Sequence, residues 1–374
     1  MKYNFDKVID RSGTSAEKVE GLKHIWGRTD LIPLWVADMD FATAPFVTDA
    51  IRKRCENEVL GYTGKPDSYY NAIINWVKQR YDLIVTKEVI NFVPGIVPGI
   101  GMAMNCFTQK GDKVMIQPPV YHPFAWVTTR NERTLVINPL RWENGMYRMD
   151  LDAFREQIKG CKLFILCNPH NPGGVVWTEA ELRAIADICY DEKVLVFSDE
   201  IHADLTLPPH THRPFATVSE KARMNSVTFM SPSKAFNMPG LSASHALIFN
   251  EDLRKRFRIY MDAGELDMGH VFAFLSVEAA YSHGTEWLDQ CLAYIQGNID
   301  FVDEFLKKHA PKIKAIRPEA SYLVWLDCRE LELSQKDLNE FFVDKAHLAL
   351  NDGEMFGKEG IGFMRLNVAS PRCI

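Results

Sequence analysis

The chain has no Cys-x-x-Cys pair, no Lys/Arg-rich run, and no window near the roughly 18 consecutive apolar residues that a membrane helix needs. Its eight cysteines, Cys55, Cys106, Cys161, Cys167, Cys189, Cys291, Cys328 and Cys373, lie mostly inside apolar segments. That pattern predicts reduced, buried thiols and not a disulfide frame. Without a basic run there is no electrostatic footprint for nucleic acid or an anionic membrane. The opening Met1-Lys2-Tyr3-Asn4-Phe5-Asp6 lacks the apolar stretch of a signal peptide. A soluble, cytoplasmic protein is expected, with neither nucleic acid nor membrane as partner. A Walker A loop, His-Glu-x-x-His, Gly-x-Ser-x-Gly and Gly-x-Gly-x-x-Gly are missing too. His202, Asp204, His210 and His212 fall close together, but their spacing fits no common zinc pattern and two prolines interrupt it. No metal is expected there.

The 374 residues are 47% apolar and 25% charged, with a net charge of −6. These proportions suit a globular protein, and the length allows two or three domains. From Lys113 to Phe249, apolar runs at 113–117, 134–138, 162–167, 194–198, 226–230 and 246–249 alternate with helical stretches. Most runs are continuous in Val, Ile, Leu and Phe, as in strands buried on both faces of a mainly parallel sheet. Thr178 with Glu181 forms a capping-box pattern that opens a helix reaching Asp191. A second helix is expected over 100–107, after Gly95-Ile96-Val97-Pro98-Gly99. Further on, Leu288, Cys291, Leu292, Ile295, Ile299, Val302 and Phe305 recur three and four residues apart, which predicts one long amphipathic helix. Strands are expected at 314–317 and 322–327, and a helix from Ser334. Asn144-Gly145 predicts a hairpin turn. Ser370-Pro371 is how a helix begins, so a terminal helix is expected from there. The fold class is α/β, with a large domain over 45–280 carrying a mainly parallel mixed sheet. Residues 1–44 and 281–374 supply a smaller α+β domain.

Three expected strand ends carry polar clusters: Asn168-Pro169-His170-Asn171-Pro172-Gly173-Gly174, Asp199-Glu200-Ile201-His202, and Ser231-Pro232-Ser233-Lys234. Each alone has a plain reading: a tight turn, a helix cap, a surface lysine. In open α/β sheets, however, ligands bind at the carboxyl ends of the strands, so the three clusters would converge. A lysine, a strand-end Asp and an Asn together match the needs of pyridoxal phosphate chemistry. The lysine holds the cofactor aldehyde and moves protons. The Asp keeps the pyridine nitrogen protonated, and the Asn donates to the phenolate oxygen.

With these motifs the sequence resembles the pyridoxal-phosphate-dependent class I/II aminotransferase superfamily, fold type I, over nearly its whole length. Asp199 follows Asn171 by 28 residues and precedes Lys234 by 35, close to that family's spacing. Pro33-Leu34-Trp35-Val36-Ala37-Asp38-Met39-Asp40-Phe41, Asp199-Glu200-Ile201-His202 and Ser231-Pro232-Ser233-Lys234 resemble its cystathionine β-lyase, or C–S lyase, branch. The resemblance implies a PLP-dependent transferase-like large domain. It makes Lys234, Asp199 and Tyr121 the catalytic residues, with Tyr121 stacked on the cofactor ring. Asn171 then faces the phenolate oxygen and the substrate. His202 stands where many aminotransferases have Tyr, and the lyase branch has His there. The cofactor phosphate would meet the backbone of Ile96 and Val97, the hydroxyls of Ser231 and Ser233, and Tyr62 from a neighbouring subunit. That last contact implies a homodimer with shared active sites. Arg365 would grip the substrate α-carboxylate, with the backbone of Val36 and Ala37 across the same group. Ser242 occupies the position, eight residues after the lysine, where aminotransferases usually have Arg. The implied reaction is β-elimination from L-cystathionine or a cysteine-type thioether, giving a thiol, pyruvate and ammonia. The alternative is amino transfer from an L-amino acid to a 2-oxo acid, which begins with the same deprotonation.

Overall fold

In the computed structural model, which describes residues 3–374, seven strands form one sheet. Their order across it is Ile90–Val93, Ser244–Leu247, Ser226–Met230, Leu195–Asp199, Cys161–Cys167, Lys113–Ile116 and Thr134–Ile137. The last five run parallel to one another, and Ser244–Leu247 is antiparallel to both of its neighbours. Successive side chains of a strand point to opposite faces, and here both faces are covered. Leu163 and Ile165 pack with Ile100, Met104, Phe124 and Phe257, while Phe164 and Leu166 pack with Leu182 and Ile185. This is why the runs read as continuous and not alternating. Each such side chain removed from water stabilises the fold by about 1.5–3 kcal/mol.

The helix Glu179–Asp191 starts with the expected capping box: Glu181 N–H donates to Thr178 Oγ1 at 3.2 Å, and Thr178 N–H donates to Glu181 Oε2 at 2.8 Å. Asn144 and Gly145 take φ of 51° and 82° in the turn joining Arg141–Glu143 to Met146–Arg148. Both angles are left-handed, as the turn requires. Two expectations shift. The sixth apolar run is paired from Ser244, two residues early, because Ser244 lies opposite Val93 in the ladder. The helix expected over 100–107 begins at Ile96 and runs to Phe107. Pro98 sits in its first turn, where a missing N–H costs nothing.

A second, antiparallel sheet has the order Lys314–Ile316, Leu323–Asp327, Phe363–Asn367, Asn351–Asp352. Before it runs the helix Thr285–His309, which buries Leu288, Cys291, Leu292, Ile295 and Ile299 of its predicted apolar face, while Val302 is half-buried and Phe305 is exposed. Ser334 caps Gln335–Glu340. The Ser370 hydroxyl donates to Asp40, and a turn follows. The N-terminal segment pairs Ile32–Pro33 with Leu348–Ala349 in a separate two-stranded sheet. All eight cysteines are free, and no helix among the described residues is long and apolar enough to cross a membrane.

Candidate active site

The parallel register sets Cys167 beside Asp199 and Asp199 beside Phe229, so the three polar clusters leave neighbouring strands at the same edge. They open on one cleft. Of the residues singled out in the sequence, Lys234, Asp199, Asn171, Tyr121, His202, Ile96, Val97, Ser233 and Ala37 line it.

Asp199 is buried, and its Oδ1 accepts the Ile201 N–H at 3.0 Å. Burial raises its pKa to about 7; the Glu200 charge adds to this, while the Ile201 hydrogen bond and Lys234 oppose it. A carboxylate in this position needs a cation against it to stay ionised. Lys234 lies opposite, its Nζ donating to the Ala37 carbonyl at 2.5 Å. Burial, with Arg365 nearby, lowers its pKa to about 8, so a neutral amine forms near physiological pH. His202 is buried, and burial depresses its pKa to about 3. Its Nδ1 has no partner among the described residues.

At the other end of the cleft, Gly95 has a φ of 138°, which admits glycine alone without strain, and turns the chain into the helix at Ile96. The first intrahelical bond there runs from Gly99 N–H to Gly95 O. The N–H groups of Ile96 and Val97 therefore precede the ladder at the positive end of the helix, where an anion is favoured. Ser233, Ser242 and Ser244 add hydroxyls to the same cleft.

The segment 34–41 crosses the site, and its carbonyls are held one by one. Trp35 O accepts from Arg365 at 3.1 Å. Val36 O and Asp38 O both accept from Asn367 Nδ2, at 2.6 and 2.7 Å. Ala37 O accepts from Tyr322 at 2.9 Å as well as from Lys234. Arg365 is buried, donates to Asn171 Oδ1 at 3.1 Å and to Asn351 Oδ1 at 2.5 Å, and has no carboxylate within ion-pair distance among the described residues. Its Nε is buried without a partner, and burial lowers its pKa to about 10. A buried, unpaired guanidinium is a ready receptor for a ligand carboxylate.

Four residues singled out in the sequence lie off the cleft wall: Arg365, described above, and Ser231, Val36 and Tyr62. Ser231 is buried, and its hydroxyl already donates to Ala243 O at 2.7 Å. Val36 has its carbonyl taken by Asn367. Tyr62 is 98% exposed. Sequence reasoning missed Ser244, Tyr322, Asn351 and Asn367 as supports of the site. Only Asn367, two residues after Arg365, stood near a recognised motif.

The chain's own residues thus offer free N–H groups and hydroxyls for a phosphate, a buried carboxylate for a cationic ring nitrogen, and an amine between them. These orphaned groups fit pyridoxal phosphate. A family model described as aminotransferase class I and II matches residues 29–372. Cystathionine beta-lyase PatB of Bacillus subtilis (strain 168) is 39% identical over 366 residues, covering 97% of this chain and 95% of that protein. A PLP-bound protein of Clostridium difficile 630, described as an aminotransferase, superposes with a TM-score of 0.97 at 41% identity, covering 100% of this chain and 96% of that one. The PLP-bound C-S lyase from Staphylococcus hominis superposes at 0.91 with 36% identity, covering 100% and 95%.

Proposed function

The chain belongs to the class I and II aminotransferase family, and we propose that within it the protein is a pyridoxal-phosphate-dependent carbon–sulfur β-lyase. It cleaves L-cystathionine or cysteine-type thioethers to a thiol, pyruvate and ammonia. The observation that carries the lyase reading over amino transfer is the 39% identity, spread over 97% of the chain, to a cystathionine β-lyase.

In this reading residues 45–280 hold the cofactor, and residues 1–44 with 281–374 hold the substrate carboxylate. Lys234 carries the cofactor, Asp199 faces its ring nitrogen, and Asn171 its phenolate oxygen. Tyr121 stacks on the ring, with His202 beside it. The N–H groups of Ile96 and Val97 and the hydroxyls of Ser233 and Ser242 hold the phosphate. When bound, pyridoxal phosphate supplies an electron-withdrawing ring that acidifies the substrate α-proton. Arg365 binds the α-carboxylate through two parallel N–H groups and so fixes the α-carbon beside Lys234. The Lys234 amine, whose burial lowers its pKa to about 8 and so brings the neutral form within reach, takes the α-proton as general base. The bond between the β-carbon and sulfur breaks, and its electron pair leaves on sulfur as thiolate. The three-carbon remainder takes up water to give pyruvate and ammonia. Asp199 remains ionised as long as a cation faces it, which keeps the electron sink in place.

The exposed run Val59, Leu60 and Tyr62 is then covered by a second copy of the chain, whose site receives Tyr62. Eight free cysteines suit the reducing cytoplasm. The test of the reaction is turnover of L-cystathionine with no 2-oxo acid present, because amino transfer halts once its acceptor is exhausted.

A further inference from the structure

We propose that Glu200 and His212 form a buried support that holds Asp199 in place against the cofactor ring, and that both are positioning residues of the site. The proposal rests on the cofactor reading above and not on the choice of reaction.

Asp199 ends its strand and Glu200 follows it directly, with their side chains on opposite sides. Asp199 faces the cleft, and Glu200 faces the interior. The Glu200 and His212 side chains are 0% and 1% exposed. Glu200 is nonetheless fully engaged: Oε1 accepts from Ser198 Oγ and from Phe215 N–H, both at 2.8 Å, and Oε2 meets His212 Nε2 at 2.8 Å. A carboxylate can only accept here, so Nε2 carries the hydrogen. Among the described residues the Asp199 side chain has one donor, the Ile201 N–H. Its position is therefore set by its backbone. Asn168 N–H donates to Asp199 O, and Glu200 N–H to Phe229 O, both at 2.9 Å. Glu200 extends that hold to the irregular segment 208–214, which Asn168 Nδ2 also fastens by donating to Arg213 O at 3.1 Å.

The remaining polar groups of this region close the layer. Trp76 Nε1 donates to Asp204 at 3.0 Å, Tyr81 donates to the same carboxylate, and the Tyr81 ring meets the His212 ring edge-on at 5.5 Å. Of the His/Asp cluster that the sequence showed without a zinc spacing, Asp204 and His212 belong to this layer, His202 lines the cleft and His210 is exposed. Removing the His212 donor leaves a buried carboxylate short of a partner directly behind Asp199, and the turn that presents Asp199 and His202 must relax.

The test compares His212→Leu, which has no donor, with His212→Gln, whose amide can replace the N–H. The readouts are the dissociation constant for pyridoxal phosphate, the visible circular-dichroism band of the bound cofactor, and kcat and KM. For His212→Leu we expect cofactor affinity at least tenfold weaker, an altered band, and kcat at least tenfold lower with KM within twofold. His212→Gln should restore affinity and band to within threefold of the parent. A folded His212→Leu protein with parental affinity and band would overturn the proposal. If that variant fails to fold, Glu200→Gln is read in the same way. Affinity and band need no turnover, so a parent that binds cofactor but leaves cystathionine intact would defeat the lyase reading alone.

Discussion

Arg365 reaches Asn171 across 3.1 Å, and because a guanidinium can only donate, the atom it meets is the amide oxygen. The Asn171 NH2 group is then the part free to face the cleft. The same arginine reaches Asn351 and the Trp35 carbonyl, so it joins the second sheet and the N-terminal crossing segment to the Asn171 loop. A change at Arg365 must therefore reach both the carboxylate receptor and the donor set beside the cofactor.

Arg365→Lys keeps the charge and removes the two-pronged geometry. We expect kcat/KM for L-cystathionine to fall on the order of a hundredfold, equivalent to about 3 kcal/mol, with most of the loss in KM. Steady-state kinetics checks this, and an unchanged KM would mean that the carboxylate is bound elsewhere.

Lys234→Ala removes the base and the covalent attachment together. A drop in kcat of at least about 10²–10⁴-fold is expected. Borohydride reduction of the loaded variant should no longer fix cofactor mass to the chain by mass spectrometry, whereas the parent should gain it at Lys234. Attachment at another lysine would contradict the assignment.

Asp199 gives a pH signature in the cofactor-free protein. Its pKa is about 7 when folded against 3.8 for the ordinary group, so between those values the folded state holds more protons than the unfolded one. Stability contributed by this residue is therefore present at acid pH and declines as pH rises through that window. Asp199→Asn removes the titration. The variant should gain unfolding free energy over the parent progressively from about pH 4 to about pH 7, by an amount reaching about 4 kcal/mol, read as a rising Tm difference, and level off above. A Tm difference independent of pH would show that the carboxylate is not held this way.

The proposed sharing of active sites between two subunits predicts complementation. Lys234→Ala and Tyr62→Ala subunits, each impaired alone, should recover activity after being unfolded and refolded together. A hybrid dimer pairs one intact Lys234 with the partner's intact Tyr62. Mixtures no more active than the separate variants would place Tyr62 outside the site.

Most of the large sheet was legible because its strands are buried on both faces and leave unbroken apolar runs. The strand-end clusters were legible because polar residues directly after such runs are conspicuous. Thr178 and Glu181, and Asn144 and Gly145, announced themselves through local chemistry that tertiary packing did not alter. The pairing of Ile32–Pro33 with Leu348–Ala349 left no trace, since two residues, one of them proline, carry no periodicity. Ser244 was hard to place because a small polar residue at a strand start resembles a turn. Glu200 and His212 stand twelve residues apart across an irregular segment, and only the folded chain shows them in contact.

The most direct measurement mixes the loaded protein with L-cystathionine, without any 2-oxo acid, and follows pyruvate and free thiol together. A carbon–sulfur β-lyase releases both continuously and in equal amounts over many turnovers. A single equivalent of keto acid per active site, with no thiol and with turnover restored by an added 2-oxo acid, would instead make the protein an aminotransferase.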